Sequence, residues 1–262
     1  MKFSKSCAGL MVSIANSGTV LVTRTEPGAS ELAQTLRARG YAAQCCPMLE
    51  IRPIDHAASN ATVAEFDRFD IAICVSGHAA RFALDRIDAY WTQRPEVTWI
   101  AVGAATARVL AERGIQALQP ATESSEGILA LAPLSRIVGR RVLICAGRDG
   151  RPLLAEELSR RGARVASLLL YERVAVSAEL AATELGDVSA IGAVIVSSAD
   201  GARAFASAWQ TVSGDPNVTV VAPSSRVAAE LRGLGFSRVT VADGAGAQAT
   251  VEALRKIDEE SR

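Results

Sequence analysis

A fixed offset runs through the chain and limits what it can fold into. Val20-Leu21-Val22 returns 122 residues later as Val142-Leu143-Ile144. The same offset pairs Gly28 with Gly150, Leu32 with Leu154, Ala33 with Ala155, Leu36 with Leu158, and Arg39-Gly40 with Arg161-Gly162. It still holds at Ile73 and Ile195, at Ser76 and Ser198, and at Ala80-Arg81 and Ala202-Arg203. A third block, Ile100 to Thr106, matches Thr219 to Ser225 at an offset of 119. Self-similarity at a fixed period implies a repeated structural unit, so the register reads as a duplication.

Each half alternates strands with helices. Thr19–Thr23, Ile71–Val75, Trp99–Val102, Arg141–Cys145, Ala193–Val196 and Val218–Val221 are short apolar runs, most of them rich in β-branched residues, as in parallel strands buried on both faces. The spacing predicts helices over Glu31–Arg39, Ala104–Arg113, Leu153–Arg161 and Arg226–Arg232, ended by Gly40, Gly114, Gly162 and Gly233 as left-handed caps. Repeated βα units imply parallel sheets with right-handed crossovers. The fold class is therefore α/β, with two parallel-sheet lobes of flavodoxin-like type. Two stretches, Cys46–Pro53 and Ser167–Arg173, depart from the alternation and read as extended linkers.

Composition removes several functions. With 28 Lys+Arg against 28 Asp+Glu in 262 residues and 5% aromatics, there is neither the charge nor the stacking surface for nucleic acid. Two histidines far apart, and five cysteines without a C-x-x-C pair, argue against a metal site and for reduced cytoplasmic thiols. Cys74 and Cys145 lie within strand runs, where a thiol is a small hydrophobe. No run of about 18 apolar residues is present, so no membrane span is expected. Residues 1–17 read as a disordered tail ahead of the first strand.

Ligands of open α/β sheets collect at the carboxyl ends of strands. Those loops here are small and polar: Thr23–Gly28, Ser76-Gly77-His78, Gly103–Thr106, Gly147–Arg151, Ser197–Gly201 and Ala222–Ser225. Each leads into a helix whose first N–H groups favour an anion. With Arg24, Arg148 and Arg151 among them, they suit a ligand bearing several carboxylates or phosphates. The competing reading makes the Ser and Thr residues helix N-caps. No phosphate loop, dinucleotide fingerprint or G-x-S-x-G elbow occurs. A large anionic organic molecule is the expected ligand.

Six segments in order resemble the uroporphyrinogen-III synthase family: Val20–Arg24, Pro47–Ile51, Asp70–Ser76, Ala101–Ala107, Gly139–Arg148 and Leu170-Tyr171-Glu172. The match runs from about Gly18 to Ile257. His78 stands where an Asn is common, and Ala222-Pro223-Ser224-Ser225 replaces a Gly-Pro-Thr-Thr-like turn.

The resemblance implies a chain that crosses between lobes twice. One lobe is then 18–45 plus 174–262, the other 52–167, and the linkers are 46–51 and 168–173. It implies a lyase of porphyrin and heme biosynthesis that cyclises hydroxymethylbilane, an octacarboxylate linear tetrapyrrole, to uroporphyrinogen III. Ring D is inverted through a spiro intermediate. It implies no cofactor, and a cytoplasmic monomer in transient contact with hydroxymethylbilane synthase. Tyr171 matches the family's interdomain tyrosine and is the candidate acid for the departing hydroxyl. Thr23, Arg24, Ser76, Thr106, Arg148, Ser197, Ser198 and Ser225 are the candidate substrate-binding residues. The alternative from another class is a bilobal small-molecule binding or sensor protein, or a catalytically inactive relative.

Overall fold

A computed structural model describes residues 18–54 and 57–260, with Ala58 described by its backbone alone. The expected tail 1–17, with Cys7, and His56 lie outside the described residues. The chain divides into two compact units. One carries the described residues up to Glu50 and from Val174 onward, the other Ile51–Arg173.

In the first unit, β1 (Thr19–Val22), β2 (Ala43–Cys45), β8 (Ile191–Ile195), β9 (Thr219–Ala222) and β10 (Val239–Val241) form one sheet in the order β10-β9-β8-β1-β2. All four pairings are parallel. Numbered along this unit's own chain, the order is that of a flavodoxin-like sheet. Leu21, Val194 and Val220 point to one face, where α7 (Ala178–Leu185), α8 (Ala199–Thr211) and α9 (Ser225–Gly233) cover them. Val20, Val22, Ile195 and Val221 point to the other, under α1 (Gly28–Ala38) and α10 (Ala247–Glu260). The period-2 alternation of the strands thus feeds two separate cores.

The second unit repeats this plan with a different chain order. Its sheet runs β3-β7-β6-β4-β5, with β3 (Leu49–Pro53), β4 (Ile71–Cys74), β5 (Thr98–Ala101), β6 (Arg141–Gly147) and β7 (Arg164–Ala175). The β4, β5, β6 and β7 pairings are parallel. The Ile54 N–H donates to the Leu170 carbonyl and the Val176 N–H to the Met48 carbonyl, so β3 lies antiparallel at the edge. Strands related by the 122-residue offset stand in equivalent places: β2-β1-β8 in one sheet answers to β7-β6-β4 in the other. Segment 168–173 lies inside β7, whose pairing with β6 runs as far as Tyr171 opposite Gly147.

The two faces of this sheet pack against different helices. Ile71, Ile73, Ile100, Val142 and Ile144 face α5 (Ser125–Leu129) and α6 (Leu153–Arg160). Ala72, Cys74, Ala101 and Cys145 face α3 (Gly77–Tyr90), which presents Ala79, Ala80 and Ala83 in return. Small residues on both sides let α3 approach the strands closely. Cys45, Cys46, Cys74 and Cys145 are free thiols.

Three expected caps stand as read: Gly40, Gly114 and Gly162 have φ of 91°, 76° and 87°. The fourth is corrected. Helix α9 runs through Gly233, and the left-handed residue is Gly235, with φ 99°. The Phe236 N–H then reaches the Leu231 carbonyl and the Gly235 N–H that of Arg232, which satisfies two end-of-helix acceptors and buries Phe236. The third repeat block is also corrected. Thr98 pairs with Ile71 and Thr219 with Ala193, so β5 and β9 correspond at an offset of 121, not 119. Alanine-rich matching had slid the alignment by two residues.

Asp70 ties β4 to β6 at their amino ends. Its carboxylate accepts the Arg141 N–H at 2.8 Å and Arg140 Nη1 at 2.6 Å. These contacts hold its pKa below the usual aspartate value of 3.8. A depressed folded pKa means stability that is fully present above 3.8 and lost as pH falls through the lower folded value. Asp70→Asn is expected to cost about 1 kcal/mol at pH 7, the pair being partly exposed. The gap from the parent protein should narrow as pH falls below 3.8 and Asp70 takes up its proton, as urea unfolding at pH 7 and at a series of lower pH values would reveal.

Candidate functional site

The carboxyl ends of β4, β5, β6 and β7 open onto a cavity of about 480 Å³ within the second unit. Its wall includes Glu123, Ser124, Arg148, Arg151, Tyr171 and Arg173. Apolar strand ends, Val75, Val102 and Ile144, form part of the lining. Three guanidinium groups share the lining with the carboxylates of Glu123 and Asp149, and their surplus of donors on an apolar floor suits an organic anion.

The direction of the Tyr171 ring is set by a fault in the sheet. Ala146 pairs with Leu169, but Gly147 pairs with Tyr171, so Leu170 is an extra residue on β7. A bulge of this kind re-aims the side chain that follows it. Leu168, Leu170 and Tyr171 accordingly all enter the core beside α3, and Tyr171 is 2% exposed. Opposite it, a Cβ on Gly147 would lie 2.7 Å from Cε2 and Cζ of the phenol ring, so only glycine leaves room there. The Tyr171 carbonyl accepts the Arg148 N–H at 2.8 Å. Helix α3 lines the ring with His78 and Phe82, one turn apart, at centroid distances of 5.7 and 6.2 Å. The phenol oxygen lies 3.0 Å from Ser76 Oγ.

Burial, and then the charges of Arg81 and Arg173, push the His78 pKa below its ordinary 6.5. A neutral imidazole therefore faces the tyrosine at pH 7. Helix α4 (Ala104–Ala111) begins at Gly103 without a side-chain cap. Glu123 supplies one instead: its carboxylate accepts the Ala104 N–H at 2.8 Å. An anion on this helix end is what the macrodipole favours.

The candidate residues divide by unit. Tyr171, Ser76, Thr106 and Arg148 belong to the second; Thr23, Arg24, Ser197, Ser198 and Ser225 belong to the first. Ser76 and Ser198 are N-caps of α3 and α8, each accepting an N–H three residues on at 3.0 and 3.1 Å. Only Ser76 also meets a tyrosine. Thr106 is a buried residue in the first turn of α4, while Ser225 is exposed at the start of α9, whose cap is Ser224. Their expected equivalence fails, because the correct offset is 121. Arg148 is paired to Glu172 at 2.6 Å, and Arg151 to Glu126 at 3.7 Å.

In the first unit, Thr23 is buried and donates its hydroxyl to the Ile195 carbonyl at 2.9 Å. Arg24 is half-buried, with Nη1 3.4 Å from the Ala245 carbonyl. Ser197 lines a crevice of about 10 Å³ between β8, β9 and β10, too small for an organic ligand. Glu123 and Arg173 carry no signal in the sequence as contributors to the site, and Gly147 and His78, though in the loops singled out there, were given no role as seat and neighbour of the phenol ring. Gly147 carried a readable signal, since a glycine ending a buried strand marks a close approach.

No cluster of three or more His, Cys, Asp or Glu among the described residues is arranged to hold a metal. No helix among them is long and apolar enough to cross a membrane.

Gly147→Ala is expected to push the Tyr171 ring from its seat and destabilise the protein by about 1–3 kcal/mol. Turnover should fall with the ring's displacement, a joint effect visible by steady-state kinetics and thermal melting. The lowered His78 pKa gives a second expectation. Its stabilising neutral form is fully present above pH 6.5 and is lost as pH falls from there toward the lower folded value. The melting temperature should drop across that interval, and His78→Asn should flatten the drop.

Similarity to known proteins identifies the family. The family model described as uroporphyrinogen-III synthase HemD matches residues 30–252. The uroporphyrinogen-III synthase of Escherichia coli K12 is 30% identical over 247 residues, covering 90% of this chain and 100% of the relative. That of Salmonella typhimurium LT2 is 30% identical over 249 residues, with the same coverage. Among solved structures, a uroporphyrinogen III synthase of the extremely thermophilic bacterium Thermus thermophilus has the same fold (TM-score 0.59, 17% identity, 93% of this chain and 99% of that one). So does the uroporphyrinogen-III synthetase of Helicobacter pylori 26695 (TM-score 0.56, 13% identity, 90% and 97%). A duplicated pattern of βα units, a bulged strand carrying a buried tyrosine, and these matches along nine-tenths of the chain lead to one conclusion: the chain belongs to the uroporphyrinogen-III synthase family.

Proposed function

We propose that this chain cyclises hydroxymethylbilane to uroporphyrinogen III. The observation that carries the reading is Tyr171, a buried phenol at the wall of a cavity that also bears Arg148, Arg151 and Arg173. The eight carboxylates of the substrate call for cationic and N–H donors, and the single reacting hydroxyl calls for one proton donor. In this reading Tyr171 gives its proton to the ring A hydroxyl. The C–O bond breaks, its electron pair leaves on oxygen, and water departs. A cationic azafulvene and a phenolate remain. Ring D attacks through its substituted carbon, the spiro intermediate fragments, and reclosure leaves ring D inverted.

Holding a flexible bilane so that the substituted carbon lies nearest the azafulvene is an orientation effect, and such effects supply much of a ring closure's rate. The guanidinium groups orient; the phenol assists departure. Arg24, Ser198 and Ser225 are further candidates for carboxylate contacts, whereas Thr106 is buried and Ser197 opens onto a crevice too small for the ligand. The enzyme acts as a cytoplasmic monomer that takes its substrate in transient contact with hydroxymethylbilane synthase.

Incubation with enzymatically generated hydroxymethylbilane, followed by separation of the isomers, tests the activity. Type III product is expected; type I alone would leave the binding or inactive-relative reading. Tyr171→Phe keeps the ring and removes the donor. It is expected to lower kcat at least tenfold, a floor set below the usual worth of general-acid assistance of about 10²–10⁴-fold. The residual product should remain largely type III. Arg148→Ala should raise KM more than it lowers kcat.

A further inference from the structure

Among the described residues, the phenol oxygen of Tyr171 has one hydrogen-bond partner, Ser76 Oγ at 3.0 Å. Ser76 Oγ has another duty. As the N-cap of α3 it accepts the Ala79 N–H at 3.0 Å. A hydroxyl carries one proton and two lone pairs. With one lone pair occupied by Ala79, the Ser76 proton still needs an acceptor, and the Tyr171 oxygen is in reach. The other serine caps, Ser124, Ser177, Ser198 and Ser224, accept the corresponding helix N–H but meet no tyrosine.

We infer that Ser76 is a positioning residue for Tyr171, donating its hydroxyl proton to the phenol oxygen and turning the phenol's own proton toward the departing hydroxyl. The inference rests on the acid role of Tyr171 given above. It changes the part assigned to Ser76, from carboxylate ligand to partner of the acid. When the Tyr171 proton leaves, the phenolate retains the Ser76 hydrogen bond. That bond strengthens because one partner is now charged. The Ala79 N–H polarises the serine oxygen in the same direction, and the positive end of α3 lies beside the new negative charge.

Geometry limits the alternatives. The Ser76 backbone is extended, with φ −165° and ψ 162°, and its cap bond orients Oγ. The Tyr171 backbone is held by the Arg148 N–H, and its ring is confined between Gly147 and the His78–Phe82 face of α3. Neither group has much freedom to find a different partner.

The test is a double-mutant cycle on the full chain, with hydroxymethylbilane as substrate and type III product as readout. Ser76→Ala is expected to lower kcat roughly tenfold, the scale of a lost hydrogen bond to a charged group, with KM within about twofold. Ser76→Thr, which keeps the hydroxyl, should recover most of that loss. In a Tyr171→Phe background, Ser76→Ala should have no further effect on kcat.

Loss of the cap will lower the melting temperature, so kcat is referred to folded enzyme. Ser177→Ala, which removes the cap of α7, provides the control: it should lose stability and keep kcat. Should Ser76→Ala not fold, Ser76→Asp restores the cap but offers the phenol an acceptor instead of a donor. It should fold and lose at least tenfold in kcat; unchanged kcat there would overturn the inference. A raised KM at unchanged kcat in Ser76→Ala, or effects of the two substitutions that multiply, would also overturn it. Normal turnover in Tyr171→Phe would remove the acid role itself. A slow Tyr171→Phe with additive Ser76→Ala would remove the positioning role alone.

Discussion

A parallel strand buried on both faces cannot meet solvent except at its ends, and most of this molecule follows from that constraint. Both sheets are parallel through their central strands and covered by helices on both faces. Most of the helices therefore start just beyond a strand's carboxyl end, with free N–H groups that require acceptors. The chain meets this need with serine at α3, α5, α7, α8 and α9, and with a distant glutamate at α4. The same edge is where a ligand can approach. Capping and function thus compete for the same small polar residues, and Ser76 is where the two overlap.

The site is built on a departure from the regular sheet. Without the extra residue at Leu170, the β7 alternation would send Tyr171 to the side taken by Leu169, away from α3. The bulge places the ring against the small-residue face, where Gly147 and the His78–Phe82 side of α3 seat it. Burial in this position makes the phenol's hydrogen bond consequential, because an oxygen removed from water depends on its protein partner. The ring of Tyr171 is fixed by packing and its hydroxyl by one serine. Such confinement matters for proton transfer, where small displacements have large effects on rate.

Much was legible along the chain. The six apolar strand runs correspond to β1, β4, β5, β6, β8 and β9, and three of four glycine caps are where the period ends. Tyr171 and Arg148 were identified from the motif they match, and both line the cavity. Other assignments depended on details that residue type does not encode. Thr23 has the chemistry of a ligand, yet its hydroxyl is committed to Ile195, 172 residues away. Ser225 looked equivalent to Thr106, but a two-residue slip separates a buried helix position from an exposed one. Glu123 lies in a polar stretch that shows no pattern by itself, and only folding brings it to Ala104.

The amino-acid sequence by itself determined the order of strands and helices, the faces they bury and the places where helices stop. These are local properties, set by side-chain periodicity of two or 3.6 residues and by glycine at left-handed turns. The tertiary structure alone decided which strands are neighbours. It joined β1 and β2 to β8, β9 and β10, and set β4 and β5 beside β6 and β7, so that the first unit is made of two separate stretches of chain and the second is the stretch Ile51–Arg173 between them. It also decided the bulge at Leu170, the seat opposite Gly147 and the meeting of Ser76 with Tyr171, 95 residues apart. Periodicity reports that a face is buried but not against what. The partner is chosen by packing and hydrogen bonding among residues distant in the chain, and in this protein that choice assembled the site.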